Sequence, residues 1–206
     1  MNPGAGEGQP KSSVPLPDKA TLRAELQAAR TARAPDFQLA SHRTERALSA
    51  CAGASVVAAY VARAGEPETV ALIESLHRSG VRVLLPVLTT QPDWAWYTGV
   101  DGLAPGPRGI DQPTGARLGP QALAQADWIW LPGLAGTPDG RRLGTGGGWY
   151  DRALTHSRGD AQRGLLLFDD EVLAEIPTDA WDQPVDLLVT EHQSLRCRPQ
   201  RAVRNI

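Results

Sequence analysis

Short apolar runs that favour β-strands alternate along this chain with segments whose apolar residues recur at helical spacing. The predicted strands cover residues 56–61, 81–85, 94–97, 128–131, 165–168 and 185–189. The predicted helices cover residues 19–33, the span between Ser41 and Gly53, the region around 70–76, residues 121–126, a stretch from Trp149 onward and a stretch near 170–175. This alternation predicts a three-layer α/β/α fold with a largely parallel, Rossmann-like sheet and helices on both faces.

The length of 206 residues favours one domain with a single core over two independent domains. Residues 1–17 combine Gly and Pro with small and polar neighbours, so we expect a flexible tail there. Folded structure is expected to begin at Asp18, a favourable helix N-cap, with residues 18–206 forming one domain. Residues 99–120, which contain ten Gly or Pro, are expected to form a long excursion over the surface.

Charge and apolar patterning argue against several classes of protein. A formal net charge of -2 disfavours a general nucleic-acid binder. The longest apolar runs are far shorter than the roughly 20 residues of a membrane span. Cys51 and Cys197 are too few for a disulfide scaffold, so we expect a cytoplasmic protein. The histidines show no zinc spacing and no Gly-x-Ser-x-Gly elbow occurs, which leaves metallohydrolases and serine hydrolases without support.

The densest chemical signal is the glycine-rich segment 142–152, which reads Arg-Leu-Gly-Thr-Gly-Gly-Gly-Trp-Tyr-Asp-Arg between a predicted strand and a predicted helix. Glycines let backbone N–H groups approach a ligand closely, which suits phosphate, although neither a Walker A loop nor a dinucleotide fingerprint fits. Asp151 could hold a magnesium ion that bridges bound phosphates. A surface turn with Asp151 stabilised by the helix dipole is the alternative.

Other charged residues admit two interpretations each. Lys19 and Arg23 lie four apart on one helical face, which by itself indicates a solvated basic stripe. Glu66, before Pro67, could simply be an acid in the first turn of a helix. Asp186 lies in an apolar strand, where a lone carboxylate is costly to bury unless it is paired or binds a metal, so a functional role is favoured for it.

Several segments together form a recognisable pattern. The most specific is residues 141–152, preceded by Leu-Pro-Gly-Leu-Ala at 131–135. The others are Lys-Ala-Thr-Leu-Arg at 19–23, Tyr60 with Glu-Pro-Glu-Thr at 66–69, Leu-Pro-Val at 85–87, Gly-Ile-Asp-Gln-Pro at 109–113, and Asp-Gln-Pro-Val-Asp at 182–186 with Thr-Glu at 190–191. In order and spacing, over about residues 18–192, the chain resembles the 5-formyltetrahydrofolate cyclo-ligase family, also called methenyltetrahydrofolate synthetases.

The resemblance implies an ATP-dependent ring closure on a reduced folate. In that family ATP phosphorylates the formyl oxygen of 5-formyltetrahydrofolate, the anilinic nitrogen attacks the activated carbon, and phosphate departs to leave 5,10-methenyltetrahydrofolate. ATP is the co-substrate and Mg²⁺ the expected cofactor. The expected partners are these small molecules alone, with no nucleic acid and no membrane, and the protein is expected to be a monomer.

The resemblance also assigns residues. Lys19 and Arg23 would contact nucleotide phosphates, with Arg23 also close to the folate. The other implied ATP contacts are Arg142, Leu143, Gly144, Thr145, Gly146, Gly147, Gly148, Trp149 and Tyr150. Val61 and Glu66 match substrate-binding positions, and Glu66 would accept hydrogen bonds from the amino edge of the pterin. Asp151 and Asp186 match the magnesium ligands.

The chain departs from the family pattern at a few positions. Thr145 replaces a frequent aromatic or basic residue, Gly147 a frequent lysine, Trp149 the usual tyrosine and Gln112 the usual glutamate. The missing loop lysine could weaken contacts to phosphate. Two other hypotheses about function stay open. One is a sugar-phosphate or CoA-linked enzyme on a similar sheet, and the other is a folate- or nucleotide-binding protein without turnover.

Overall fold

The computed structural model describes residues 16–198, so most of the predicted tail lies outside the described part of the chain. In chain order the elements are α1 (Lys19–Ala32), α2 (Phe37–Ala50), β1 (Val56–Ala58), α3 (Val70–Arg78), β2 (Arg82–Pro86), β3 (Trp94–Trp96), β4 (Leu103–Pro105), β5 (Asp111–Pro113), β6 (Trp128–Leu131), β7 (Ala135–Gly136), β8 (Arg142–Leu143), α4 (Trp149–Leu154), β9 (Gln162–Leu166), β10 (Leu187–Val189) and β11 (Ser194–Arg196). Short 3-10 helices lie at Val100–Gly102, Pro107–Gly109, Pro120–Gln125 and Asp169–Glu171.

The centre of the fold is a seven-stranded sheet in the order β11-β10-β9-β6-β1-β2-β3. The strands from β10 to β2 run parallel, and the two edge strands, β11 and β3, run antiparallel to their neighbours. Val57 of β1 pairs with Val83 on one side and with Trp128 on the other. The predicted, largely parallel sheet is confirmed.

Side chains alternate between the two faces of the sheet, and each face has its own cover. Trp128 and Trp130 of β6 point to the face that packs against α2 and α3. Ile129 and Leu131 point to the opposite face, where Leu123 of a 3-10 helix and the apolar side of α4 lie. The predicted three layers are therefore present. Within residues 16–198, none of the helices combines the length and apolarity that a membrane crossing requires.

Helix α1 starts where the sequence predicts and is anchored through an unexpected residue. The Asp18 carboxylate accepts hydrogen bonds from the N–H groups of Ala20 at 2.8 Å and Thr21 at 2.9 Å, and these bonds lower the pKa of Asp18. Leu22 is buried, but Ala29, two helical turns further along the same face, is exposed. Arg30 is buried in its place.

Several predicted boundaries were wrong. Helix α2 begins at Phe37 rather than after Ser41, because the Asp36 side chain caps it by accepting from two backbone N–H groups at 3.0 Å. The helix predicted near 170–175 is only the 3-10 turn Asp169–Glu171, and residues 121–126 are also 3-10 rather than α-helical. Five short strands were not predicted: β4 and β5 within residues 99–120, the pair β7 and β8, and β11, which has no buried residue.

Candidate functional site

A cleft of about 730 Å³ opens beyond the carboxyl ends of β1, β2 and β6. Tyr60 and Val61 follow β1, Leu88 follows β2, and Pro132 follows β6, and all four line the cleft. The carboxyl edge is where parallel α/β sheets bind their ligands. The cleft is therefore the candidate active site.

The glycine-rich loop forms one wall of this cleft. All nine residues 142–150 that the sequence assigned to the nucleotide line it. Gly146 has φ +102° and Gly148 has φ +60°, a left-handed conformation that side-chain-bearing residues rarely adopt. By contrast, a Cβ at Gly147 would meet nothing within 4 Å. The loop thus needs glycine at 146 and 148, while position 147 has room for a side chain.

Arg142 and Asp151 form an ion pair behind this loop. Arg142 is buried, and its Nη2 donates to the Asp151 Oδ1 at 2.6 Å. The backbone N–H of Gln183 also donates to that oxygen, at 3.3 Å. Among residues 16–198 no hydrogen-bond donor reaches Asp151 Oδ2, so this oxygen is available to a ligand.

Lys19 lines the cleft between two carboxylates that the sequence analysis did not select as site residues. Its Nζ donates to Asp179 and to Asp182, both at 2.6 Å. Partial burial lowers the pKa of this amine, but the two carboxylates outweigh that effect and raise the pKa above its ordinary value. Lys19 is thus a fully charged, pre-positioned ammonium group.

Arg23 lies one helical turn further along α1 and contacts the loop directly. Its Nε donates to the backbone oxygen of Gly144 at 2.9 Å. A Cβ on Gly146 would lie only 3.6 Å from the Arg23 guanidinium. The helix therefore presents both of its predicted basic residues, Lys19 and Arg23, to the cleft.

The segment after β1 supplies the floor of the cleft. Glu66 lines it, and its carboxylate accepts from the N–H of Arg63 at 3.0 Å and from the Arg63 Nη2 at 2.8 Å. Burial, together with the charge of Glu66, raises the pKa of the Tyr150 hydroxyl, so this phenol stays protonated. Among residues 16–198 nothing accepts a hydrogen bond from that hydroxyl, which leaves it free to donate to a substrate.

The far wall is tied to the rest of the fold by two side chains. Gln112 accepts a hydrogen bond from the Leu88 N–H at 2.7 Å, which fastens the β4–β5 hairpin to the segment leaving β2. The Trp149 indole Nε1 donates to the Thr89 backbone oxygen at 3.1 Å and its ring packs against Trp94 and Tyr150. Trp149, predicted as a nucleotide contact, thus also joins the two walls of the cleft.

The structure does not bring Asp186 to the cleft. This residue precedes β10 and therefore lies at the amino end of a strand that runs parallel to β9. It is exposed, and its Oδ2 accepts from the backbone N–H of Arg163 at 2.8 Å. The aspartates that line the cleft are instead Asp151, Asp179 and Asp182, and Glu66 is a fourth acidic residue there.

Sequence reasoning missed Asp179, Asp182 and Arg108 as cleft residues. The segment 182–186 had been noticed, but it contains two aspartates four residues apart, and only the fold shows which one faces the cleft. No group of three His, Cys, Asp or Glu side chains in the described range is arranged to hold a metal ion unaided.

Comparison with known proteins gives a consistent result. A model of the 5-formyltetrahydrofolate cyclo-ligase family matches residues 15–191. A 5-formyltetrahydrofolate cyclo-ligase of Mycolicibacterium smegmatis is 34% identical over 146 residues, which are 68% of this chain and 75% of the relative. A 5-formyltetrahydrofolate cyclo-ligase of Escherichia coli K12 is 33% identical over 144 residues, which are 66% of this chain and 78% of the relative.

Solved structures agree. The NMR structure of an Aquifex aeolicus 5,10-methenyltetrahydrofolate synthetase superposes with a TM-score of 0.77 at 28% identity, covering 90% of this chain and 96% of that protein. A 5,10-methenyltetrahydrofolate synthetase from Mycoplasma pneumoniae has a TM-score of 0.66 at 20% identity, covering 84% of this chain and 99% of that protein, and supports the fold alone.

Proposed function

Because the chain belongs to the 5-formyltetrahydrofolate cyclo-ligase family, we propose that it converts 5-formyltetrahydrofolate to 5,10-methenyltetrahydrofolate with ATP as co-substrate. One observation carries the proposal beyond family membership. A single cleft contains a glycine-rich anion loop, two basic residues of α1 and the Glu66 carboxylate. These groups suit a nucleotide and a pterin side by side.

The chemistry requires activation of the formyl group, because an amide-like oxygen is a poor leaving group. The formyl oxygen attacks the γ-phosphorus of ATP, the bond to the β–γ bridging oxygen breaks, and ADP leaves. The anilinic nitrogen then attacks the activated carbon. The C–O bond breaks with release of phosphate, and the nitrogen loses its proton as the ring closes. Positioning and charge stabilisation are the main tasks of the protein in such a transfer.

The cleft residues match these tasks. Lys19 and Arg23 lie beside the glycine loop, where they offset the negative charge of the phosphates that the loop N–H groups contact. Arg142, fixed by Asp151, adds a buried positive charge behind the loop. We assign Val61 and Glu66 to the folate, with the Glu66 carboxylate accepting hydrogen bonds from the amino edge of the pterin.

The residues present fit a magnesium ion that is shared with the nucleotide. Asp151 keeps Oδ2 free of donors, and Asp182 keeps Oδ1 free of donors among residues 16–198. The N–H of Gln183, the neighbour of Asp182, bonds Asp151, so the two carboxylates lie on contacting segments. Mg²⁺ typically takes one or two carboxylates plus phosphate oxygens, and when bound it would neutralise phosphate charge.

We propose that the protein is cytoplasmic and that it acts as a monomer. Cys51 and Cys197 are free thiols, which supports a reducing compartment. All the groups proposed to bind the two substrates come from one chain, which supports a single copy as the catalytic unit.

The experiment follows near-ultraviolet absorbance of purified protein with 5-formyltetrahydrofolate, Mg²⁺ and ATP, because the methenyl product absorbs strongly there. A rise that requires ATP is expected. Binding of ATP without any rise would contradict the proposal and favour an enzyme of phosphate esters or a non-catalytic nucleotide-binding protein. Thermal shifts with ATP and with folate separate these two outcomes.

Three aspartate variants test the residues assigned to magnesium. Asp151→Asn and Asp182→Asn should lower turnover about a hundredfold and raise the Mg²⁺ concentration needed for half-maximal rate. Asp186→Asn is the matched control, since this exposed carboxylate lies at the opposite edge of the sheet, and its rate should be near normal. Equal losses in Asp182→Asn and Asp186→Asn would refute this assignment.

A further inference from the structure

We propose that Arg108 forms a subsite for the glutamate-tail carboxylates of the folate. This inference rests on the proposed function, because it concerns how the same cleft holds the second substrate. Reduced folates carry an anionic glutamate at the end remote from the pterin, and longer tails add further carboxylates. A cation at the matching end of the cleft would recognise that feature.

The distribution of charge in the cleft singles out this residue. The basic residues that line it are Lys19, Arg23, Arg63, Arg108, Arg142 and Arg152. Lys19, Arg63 and Arg142 are each paired with a carboxylate at 2.6 to 2.8 Å. The other three have no carboxylate within 4.0 Å in the part of the chain that the structure describes.

Two of those three already belong to the glycine loop. Arg23 donates to Gly144 O at 2.9 Å, and Arg152 donates to Gly147 O at 3.3 Å. Arg108 is exposed and makes no such contact with the loop. Among the described residues, Arg108 is therefore the basic residue of the cleft that neither pairs with a carboxylate nor bonds the glycine loop.

Sheet order places Arg108 at the end of the cleft away from the phosphates. The glycine loop begins after β8 on the β6 side, where Gly144 O accepts from Arg23 of α1, and it reaches the β2 side only at its end, where Trp149 donates to Thr89 O. Arg108 lies at the tip of the β4–β5 hairpin, which Gln112 fastens to Leu88 after β2. Strand β1 lies between β6 and β2, and Glu66, the proposed pterin contact, is in the segment that follows it. The order along the cleft is thus phosphate, pterin, Arg108.

This order matches the geometry of the reaction. The γ-phosphate must meet the formyl group on the pterin, so the nucleotide occupies one end and the pterin the middle. Adjacent strands lie about 4.8 Å apart, so β6 and β2 are separated by about 10 Å. The tail of the folate extends away from the reacting group, toward the β2 end, where Arg108 is located.

The backbone at Arg108 supports a specific role. Arg108 has φ 61° and ψ 24°, and within residues 16–198 it is the one non-glycine residue with positive φ. A residue with a side chain rarely adopts this conformation, and strain of this kind is concentrated at functional sites. The turn is closed by the Gly106 N–H, which donates to Ile110 O at 3.0 Å. The side chain is thereby presented from a defined turn.

The test compares wild type, Arg108→Gln and the control Arg117→Gln in the full chain. Arg117 is another exposed arginine, and it does not line the cleft. Each protein is assayed with three substrates: 5-formyltetrahydropteroate, which lacks glutamate, the monoglutamate and the triglutamate. KM and kcat are measured separately for each.

We expect Arg108→Gln to raise KM for the monoglutamate about fivefold, which is the effect of losing one exposed ion pair. The rise in KM for the triglutamate should be at least as large. Its kcat should be unchanged, and KM for the pteroate form should equal that of wild type. Equal KM values for wild type and Arg108→Gln on all three substrates would overturn the inference while leaving the proposed function intact. An equal KM rise on all three, pteroate included, would also overturn it.

Failure of the proposed function gives a different result. In that case wild type closes the ring of none of the three substrates, and the inference falls with the function on which it rests. Arg117→Gln removes one positive charge outside the cleft, and its KM values should match those of wild type on every substrate. This control shows whether a change in KM comes from the loss of charge in general.

Discussion

A buried ion pair connects α1 to the sheet, and its removal should be costly. Arg30 donates through Nε and Nη2 to the two oxygens of Glu171 at 2.6 and 2.7 Å, and Nη2 also donates to Gly133 O at 2.6 Å. The side chains of Arg30 and Glu171 are only 5% and 2% exposed. Glu171 additionally accepts from the Phe168 N–H at 3.0 Å. The pair therefore fixes the helix that presents Lys19 and Arg23.

Glu171→Ala leaves the Arg30 guanidinium buried without its countercharge. Breaking one side of a buried pair typically costs about 3–5 kcal/mol, a large fraction of a total stability of about 5–15 kcal/mol. Asp170→Ala is the matched control. Asp170 is the preceding residue and pairs with Arg33, but its side chain is 63% exposed, so the expected cost is about 0–1 kcal/mol.

Urea unfolding followed by circular dichroism measures both variants. Equal losses of free energy of unfolding in Glu171→Ala and Asp170→Ala would contradict the cost expected for the buried pair. Should Glu171→Ala not fold, the double variant Arg30→Met with Glu171→Leu provides a second test. It removes both charges and should be more stable than either single variant, because no unpaired charge remains.

Three further predictions concern other parts of the molecule. Hydrogen bonds from the N–H groups that open β1 lower the pKa of Asp127 below 3.8. These hydrogen bonds therefore stabilise the fold above pH 3.8, and the stabilisation is lost as pH falls through the folded-state pKa. Asp127→Ala should lower the free energy of unfolding by about 1 kcal/mol at pH 7 and by progressively less as the pH of an unfolding titration is lowered. Gln112→Ala frees the Leu88 N–H and should raise KM for the folate more than KM for ATP in steady-state assays. Deleting residues 1–17 should change neither melting temperature nor activity, and a large loss would contradict the predicted tail.

Local signals were sufficient wherever a residue's neighbours in sequence decide its structure. The strand at residues 128–131 was predicted with its observed bounds, and Asp18 was recognised as the cap of α1. The glycine-rich loop was recognised from its density of glycines, and the structure shows that Gly146 and Gly148 adopt left-handed conformations there. These features depend on backbone preference and apolar periodicity, which a sequence displays directly.

Contacts that depend on a distant residue were not predicted, and one helix boundary was misplaced. Arg30 and Arg43 belong to a residue type that is usually exposed, yet both are buried, because Glu171 and Glu191 meet them from 141 and 148 residues away. The start of α2 was placed too late because Phe37, its first residue, is 86% exposed and gives no periodic signal.

The class of fold, the glycine-rich loop and the family follow from patterns that contiguous segments of the sequence carry. Tertiary structure alone decided that Asp182 faces the cleft while Asp186 lies at the opposite edge of the sheet. The same is true of the two carboxylates that bond Lys19 and of the position of Arg108 at the end of the cleft near β2. The physical reason is that strand order and direction bring together groups far apart in the chain, and no spacing along the sequence encodes which end of a strand faces the ligand.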